Sequence, residues 1–193
     1  FCIKKCPYCD FNSYAYKEIP EIEYVNSLVQ EIILSSRNEF WQGRSVKTIY
    51  FGGGTPSLLV LESIDKILST IFAYFPVEDS IEISFEANPG TLSKEKLEGY
   101  LNAGINRLSI GAQSFTDHFL KILGRIHGLD DILKSYEQAR LVGFNNISLD
   151  LMYGMPEQKI ENLENDLNRL IEINPEHIST YGLTIEEGTQ FHE

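Results

Sequence analysis

Short apolar runs of strand length alternate with longer segments of helical period along this chain, and that alternation limits the folds open to it. Val46 to Phe51, Ile81 to Glu86, Arg107 to Ile110, Ile147 to Leu151 and His177 to Leu183 read as strands. A helix over Glu21 to Phe40 carries Tyr24, Val25, Leu28, Ile32 and Ile33 on one stripe. Leu61 to Tyr74, a segment capped by Thr91 or Ser93 and running to Ala103, Asp117 to Leu123, Asp130 to Val142 and Glu161 to Ile173 read as further helices. Repeated βα units close into a parallel sheet covered by helices. The strands read as apolar rather than strictly alternating, the pattern of a sheet buried on both faces. A closed eight-stranded barrel takes about 250 residues, more than the 193 present. The expected fold is therefore α/β, a partial (β/α)6 barrel whose first strand would lie before Cys2 and is missing from this chain. A doubly wound open sheet is the alternative, but no G-x-G-x-x-G follows a first strand.

Composition narrows the function classes. With 42% hydrophobic and 23% charged residues, the chain is an ordinary globular one and not a disordered one. Asp and Glu number 28 against 16 Lys and Arg, a net charge of −12. A nucleic-acid-coating surface needs clustered Lys and Arg, so nucleic acid is not an expected partner. No apolar run approaches the roughly 18 residues of a membrane span, and no signal-peptide pattern opens the chain. Cytoplasmic residence is the expectation. The chain opens on Phe1-Cys2 and closes on His192-Glu193, so residues 1–193 are expected to be the core domain of a longer protein.

All three cysteines fall in Cys2-Ile3-Lys4-Lys5-Cys6-Pro7-Tyr8-Cys9. An odd number and an otherwise cysteine-free chain disfavour a disulfide framework. Tetrahedral zinc would need a fourth ligand, yet there is no second Cys pair and no His-x3–5-His. A redox CxxC usually sits in a thioredoxin-like unit, which is not visible here. An iron–sulfur cluster is the favoured reading, with zinc as the alternative. Electron-transfer clusters are closed by four cysteines, whereas three leave one iron open, as catalytic metal sites keep a position for substrate.

Parallel βα folds carry their chemistry at the carboxyl ends of the strands. Gly52-Gly53-Gly54-Thr55-Pro56 follows one strand, Glu86 ends the next, Gln113 lies just beyond the third, and Asp150 sits in the fourth between two leucines. Arg125 follows Leu123-Gly124 in a loop between helices. Taken singly, each has an ordinary structural reading: a tight turn, a strand-end residue facing water, a barrel contact, a surface salt bridge. Together with the cysteine loop they describe a pocket of both charge signs, suited to a zwitterionic ligand.

Cys2-x3-Cys6-x2-Cys9, with Tyr8 before its last cysteine, resembles the radical S-adenosylmethionine motif. Cys6-Pro7-Tyr8-Cys9-Asp10-Phe11, Tyr50 to Ser57, Glu86-Ala87-Asn88-Pro89, Arg107 to Ser114, Leu123 to His127 and Asp150 to Pro156 are similar to the oxygen-independent coproporphyrinogen III oxidase-like family of that superfamily. The resemblance spans nearly the whole chain. It implies that Cys2, Cys6 and Cys9 ligate a 4Fe–4S cluster whose fourth iron binds the amino and carboxylate groups of S-adenosylmethionine. It implies that Gly53, Gly54 and Glu86, in the segment that includes Thr55, orient the amino group and that Arg125 pairs with the carboxylate. Gln113 and Asp150 would take the ribose hydroxyls; the Tyr8 backbone, Met152 and the Thr184 region would flank adenine. The implied chemistry is reductive, one electron cleaving the sulfonium S–C bond to release a 5′-deoxyadenosyl radical, with the cofactor carrying the hard chemistry.

The family's oxidases carry a further cysteine two positions after the third ligand, where this chain has Phe11. That departure favours the family's heme-chaperone members, for which heme is cargo, respiratory heme proteins are clients and an electron donor reduces the cluster. The oxidase, which converts porphyrinogen propionates to vinyl groups, is the alternative. No heme ligand is assigned among His118, His127, His177 and His192.

Overall fold

The computed structural model describes residues 1–193. Five strands, β1 (Val46–Phe51), β2 (Val77–Ala87), β3 (Arg107–Gln113), β4 (Ile147–Tyr153) and β5 (His177–Gly182), form one all-parallel sheet in the order β1-β2-β3-β4-β5. The helices α1 (Glu21–Ser36), α2 (Leu61–Tyr74), α3 (Lys94–Asn102), α4 (Asp117–Ile122), α5 (Leu129–Val142) and α6 (Ile160–Ile173) connect and cover them. Consecutive strands are neighbours throughout, so the sheet winds in one direction, as a half-barrel does. The doubly wound alternative requires the strand order to reverse and is excluded by this topology.

The expected two-sided apolar strands are corrected. Side chains alternate strictly on the central strands. Ile83 and Phe85, Leu108 and Ile110, and Ile147, Leu149 and Leu151 point to one face, where they join Ile64 and Leu68 of α2, Leu97 and Tyr100 of α3, Ile132 and Ala139 of α5 and Leu170 of α6 in one core cluster. The opposite, concave face is polar. There Arg107 Nη1 donates to Ser84 Oγ at 3.1 Å, Ser84 donates to Glu82 at 2.8 Å, and Ser109 donates to Asp150 at 3.0 Å. Ser148 lies 2.9 Å from His177 Nδ1 and 3.4 Å from Ser179. Successive side chains on a strand point to opposite faces, so a residue pattern of two is the signature of helices on one side only. Ile147-Ser148-Leu149-Asp150-Leu151 carries that pattern.

Most element boundaries agree with the expected ones to within a few residues. The first helix ends four residues earlier than expected, at Ser36, and a short 3-10 turn at Glu39–Trp41 follows, capped by Asn38, whose side chain accepts from the Phe40 N–H at 2.9 Å. The second strand begins at Val77, because it pairs with Val46 before the apolar run starts. Gln113 is the last residue of β3 and not beyond it, at φ 69° after a register irregularity against β4.

Phe85 is fully buried between Phe51 and Tyr100, with ring centroids at 5.4 Å and 4.6 Å. Truncation of so enclosed an aromatic leaves a cavity that neighbours on two elements cannot fill. Phe85→Ala is expected to destabilise the fold by about 3–5 kcal/mol, read as a lower urea midpoint at an unchanged slope.

Candidate functional site

The carboxyl ends of all five strands surround a cavity of about 500 Å³, with the cysteine loop across its mouth. The thiols are free and half-buried. Hydrogen bonds fix the loop: Cys2 N–H donates to Tyr14 O, Cys9 N–H to Cys6 O and Lys5 Nζ to Phe11 O, while the Phe191 N–H holds Pro7 O at 3.0 Å. Each sulfur meets a different neighbour. Thr55 Oγ1 lies 3.6 Å from Cys2, Arg125 Nη1 3.7 Å from Cys6, and Ser13 Oγ 3.7 Å from Cys9. No three His, Cys, Asp or Glu side chains converge on the position of a single ion. Mononuclear zinc needs four donors within about 2.0–2.3 Å of one point; a cluster of several irons takes its thiolates on separate atoms. The donor set therefore fits a cluster better than zinc.

Two glycines let the loop sit this close. Gly54 is at φ 59°, and a Cβ there would lie 2.6 Å from the Phe1 backbone nitrogen. Gly124, at φ 67°, packs against Pro7, which a Cβ would meet at 2.6 Å. The first seats the start of the cysteine segment on the β1 end; the second brings the α4–α5 loop, and so Arg125, beneath Cys6.

Arg125 is the one cationic side chain in the cavity lining. Its Nη1 reaches Cys6 Sγ and, at 3.5 Å, the Tyr8 hydroxyl, and its Nη2 donates to Gly111 O at 3.3 Å. None of these partners is a carboxylate. Its Nε is buried with no hydrogen-bond partner. A guanidinium held out of water with an unused donor is costly unless an anion completes it, so this site fits a ligand carboxylate. Burial pushes the Tyr8 phenol up to about 12 against the pull of Arg125, so the phenol stays neutral and leaves the arginine charge uncancelled.

Glu86 lines the same cavity. Its Oε1 accepts from the Tyr50 hydroxyl at 2.7 Å and its Oε2 from the Gly53 N–H at 3.0 Å. Gly53 thus orients the carboxylate with its own N–H, and Tyr50, which the sequence reading missed, does so with a phenol raised by burial first and by Glu86 second. Asp150 is held by Ser109 and Ser148. Burial raises its carboxyl most, the serine hydroxyls oppose, and the Glu86 charge adds to the rise. Gln113 accepts from the Tyr181 hydroxyl at 3.4 Å. Met152 is buried with Phe119, Leu123 and Met155, against which Tyr8 and Leu183 pack, and Thr184 is exposed on the cavity rim. Tyr8, Gly53, Gly54, Thr55, Glu86, Gln113, Arg125, Asp150, Met152 and Thr184 all line this one cavity with Cys6 and Cys9; Cys2 lies behind Thr55. Tyr50, Ser109 and Tyr181 also line it. Only the polar positions of the alternating pattern could have pointed to them.

The sequence profile of the radical SAM superfamily matches residues 1–170. The heme chaperone HemW of Escherichia coli is 46% identical over 99% of this chain, and that of Bacillus subtilis is 43% identical over all of it; in both, the chain spans half the length of the relative. Among solved structures, the coproporphyrinogen III oxidase HemN of Escherichia coli, described as a radical SAM enzyme, superposes with a TM-score of 0.86 at 29% identity, over 95% of this chain and 42% of that one.

Gly54→Ala tests the seating of the cysteine loop. A left-handed alanine costs about 1–2 kcal/mol, and the contact with Phe1 would push the loop from Thr55. Iron and sulfide content per chain after anaerobic reconstitution is expected to fall, while the far-ultraviolet dichroism stays native.

Proposed function

This chain belongs to the radical SAM superfamily, and from that premise we propose that it is the radical-SAM core domain of a heme chaperone working in the cytoplasm. Membership implies a 4Fe–4S cluster and S-adenosylmethionine as cofactors, and together these supply one-electron reductive chemistry at a sulfonium centre. Heme as cargo, respiratory heme proteins as clients and an external electron donor extend the reading from the HemW relatives. The free thiols accord with a reducing compartment. No helix is long and apolar enough to cross a membrane.

The observation that carries the cofactor reading is the pairing of a cysteine loop with an arginine that lacks an anionic partner in one cavity. On this reading Cys2, Cys6 and Cys9 hold the cluster. Arg125 binds the methionyl carboxylate through its unused donor. Glu86, held from both sides by Tyr50 and Gly53, receives the ammonium group beside Gly54 and Thr55. Gln113 and Asp150 take the ribose hydroxyls, and the serines around Asp150 keep its carboxylate aimed. Tyr8, Met152 and Thr184 bound the adenine end. The chain's own work is to orient a zwitterion by its two opposite charges and to exclude water from it.

The oxidase reading draws on the structural likeness to HemN. Phe11 weighs against it. At the position where the oxidases carry their additional cysteine, this chain has an aromatic side chain, 69% exposed at the edge of the cavity. A phenylalanine offers neither a thiol nor a hydrogen-bond donor there.

Heme binding, turnover and variants of the cavity test the proposal. The reconstituted full-length protein is expected to bind added heme stoichiometrically and, in a separate incubation with reductant, S-adenosylmethionine and coproporphyrinogen III, to form no vinyl porphyrin by mass spectrometry; vinyl product would establish the oxidase instead. Alanine at Cys2, Cys6 or Cys9 is expected to abolish the assembled cluster. By contrast, Arg125→Ala is expected to retain iron and sulfide and to lose about 1.5–3 kcal/mol of S-adenosylmethionine binding, the range of a hydrogen bond to a charged group. An unchanged binding isotherm would remove Arg125 from the site.

A further inference from the structure

Four residues beyond Cys9, Ser13 is buried, with 2% of its surface exposed. Its hydroxyl has one hydrogen-bond partner, the Cys9 sulfur at 3.7 Å. A buried hydroxyl without a partner costs free energy, so the sulfur is what satisfies it. The main chain fixes Ser13 on both sides. Its own N–H donates to Phe11 O, Tyr14 O accepts from the Cys2 N–H at 2.9 Å, and Ala15 bridges to Cys2. The segment thus closes back on its start and brings the hydroxyl to Cys9 without help from the sulfur.

Thr55 stands in the same relation to Cys2. It is 53 residues away in the chain, yet its Oγ1 donates to Cys2 Sγ at 3.6 Å, the one hydrogen bond that hydroxyl makes. Gly54 at φ 59° sets its approach, and the 3-10 turn Pro56–Leu58 holds it from the other side, with the Leu58 N–H on Thr55 O at 3.0 Å. Two of the three sulfurs therefore each face one neutral hydroxyl, supplied by different parts of the chain. The third, Cys6, faces Arg125, which the proposed function gives to the ligand carboxylate. Lys5 adds nothing to the sulfurs, because its Nζ is spent on Phe11 O at 3.1 Å.

The state of the sulfur fixes the direction of these bonds. A thiol can donate to Ser13 as well as accept from it. A thiolate has no hydrogen to give, so Ser13 must be the donor. Such a bond is charge-assisted and strengthens as the sulfur becomes more negative. Hydrogen bonds to the ligating sulfurs are one of the levers that set an iron–sulfur reduction potential, and a donor favours the reduced state.

We propose that the Ser13 and Thr55 hydroxyls raise the reduction potential of the cluster held by this loop, each by donating to a ligand thiolate, and so ease the transfer of one electron from the external donor. The inference rests on the reading of Cys2, Cys6 and Cys9 as cluster ligands. Both residues act through the sulfurs, as positioning residues, and neither has to touch S-adenosylmethionine to do so. Removing either hydroxyl is expected to lower the reduced-to-oxidised ratio about three- to tenfold at equal poise. For a one-electron couple that is a midpoint lower by about 30–60 mV.

The test is a redox titration of the anaerobically reconstituted full-length protein, without S-adenosylmethionine, followed by electron paramagnetic resonance. Ser13→Ala and Thr55→Val, the latter close to threonine in shape, are each expected to retain iron and sulfide and to show the lower midpoint. Thr55→Ser keeps the hydroxyl and is expected to stay at the wild-type value. Electron–nuclear double resonance of the reduced samples, in water and in deuterated water, separates a lost hydrogen bond from a shifted loop. Ser13→Ala and Thr55→Val are each expected to lose one exchangeable proton coupling that wild type and Thr55→Ser retain. An unchanged midpoint, or an unchanged set of exchangeable couplings, in either assembled variant would overturn the proposal. Thr55→Val decides the matter should Ser13→Ala fail to assemble. Failure of both to assemble beside a wild type that does would overturn it in favour of a purely structural role. A wild type that takes up zinc and no iron would instead overturn the reading of the cysteines on which it rests.

Discussion

The structure depends on the one-sided burial of its parallel sheet. Ile83, Phe85, Leu108, Ile110, Leu149 and Leu151 pack on the helices, and because the strand period is two, every intervening residue is committed to the concave face. That face cannot collapse on itself. It is therefore furnished with groups that satisfy one another: Glu82, Ser84 and Arg107 low in the half-barrel, and Ser109, Ser148, Asp150 and Ser179 higher up. At the carboxyl ends the mutual satisfaction stops. Arg125 keeps an unused donor, and the Glu86 carboxylate, though doubly held, has no cationic partner among its hydrogen bonds.

The cavity brings both charge signs together, Arg125 beside Cys6 and Gly111 and the carboxylates of Asp10, Glu86, Asp150 and Glu186 in the same lining. On the proposed reading a zwitterion meets both signs at once, and the apolar packing around Met152 strengthens those interactions because charges interact more strongly away from water. The supporting residues serve orientation. Tyr50 and Gly53 hold Glu86, the serines hold Asp150, and Gly124 lets the cysteine loop reach the arginine.

Likeness to known proteins separates along the same lines. Superfamily membership rests on 170 residues of matched sequence and agrees with a fold shared with an oxidase at a TM-score of 0.86. Substrate is a finer matter. On the proposed reading it turns on positions such as Phe11 at the cavity edge, where a single side chain would change the available chemistry without disturbing the sheet.

By itself the sequence determined the order and type of the elements, since apolar period and turn residues are local signals. It also pointed to the cysteine loop, whose three thiols lie within eight residues. Glu86, Gln113 and Asp150 were legible as candidates because a parallel βα fold places strand ends together, and Arg125, in the loop between α4 and α5, joined them as a complementary charge. One-sided burial was legible as well, since Ile147-Ser148-Leu149-Asp150-Leu151 alternates with the strand period although the strands were read as apolar on both faces; the long-range contacts were left to the tertiary structure. It alone decided that Tyr50 holds Glu86 across 36 residues and that Gly124 marks a close approach to Pro7. Each of these depends on which residues far apart in the chain come within a few ångströms, and no local pattern encodes that distance.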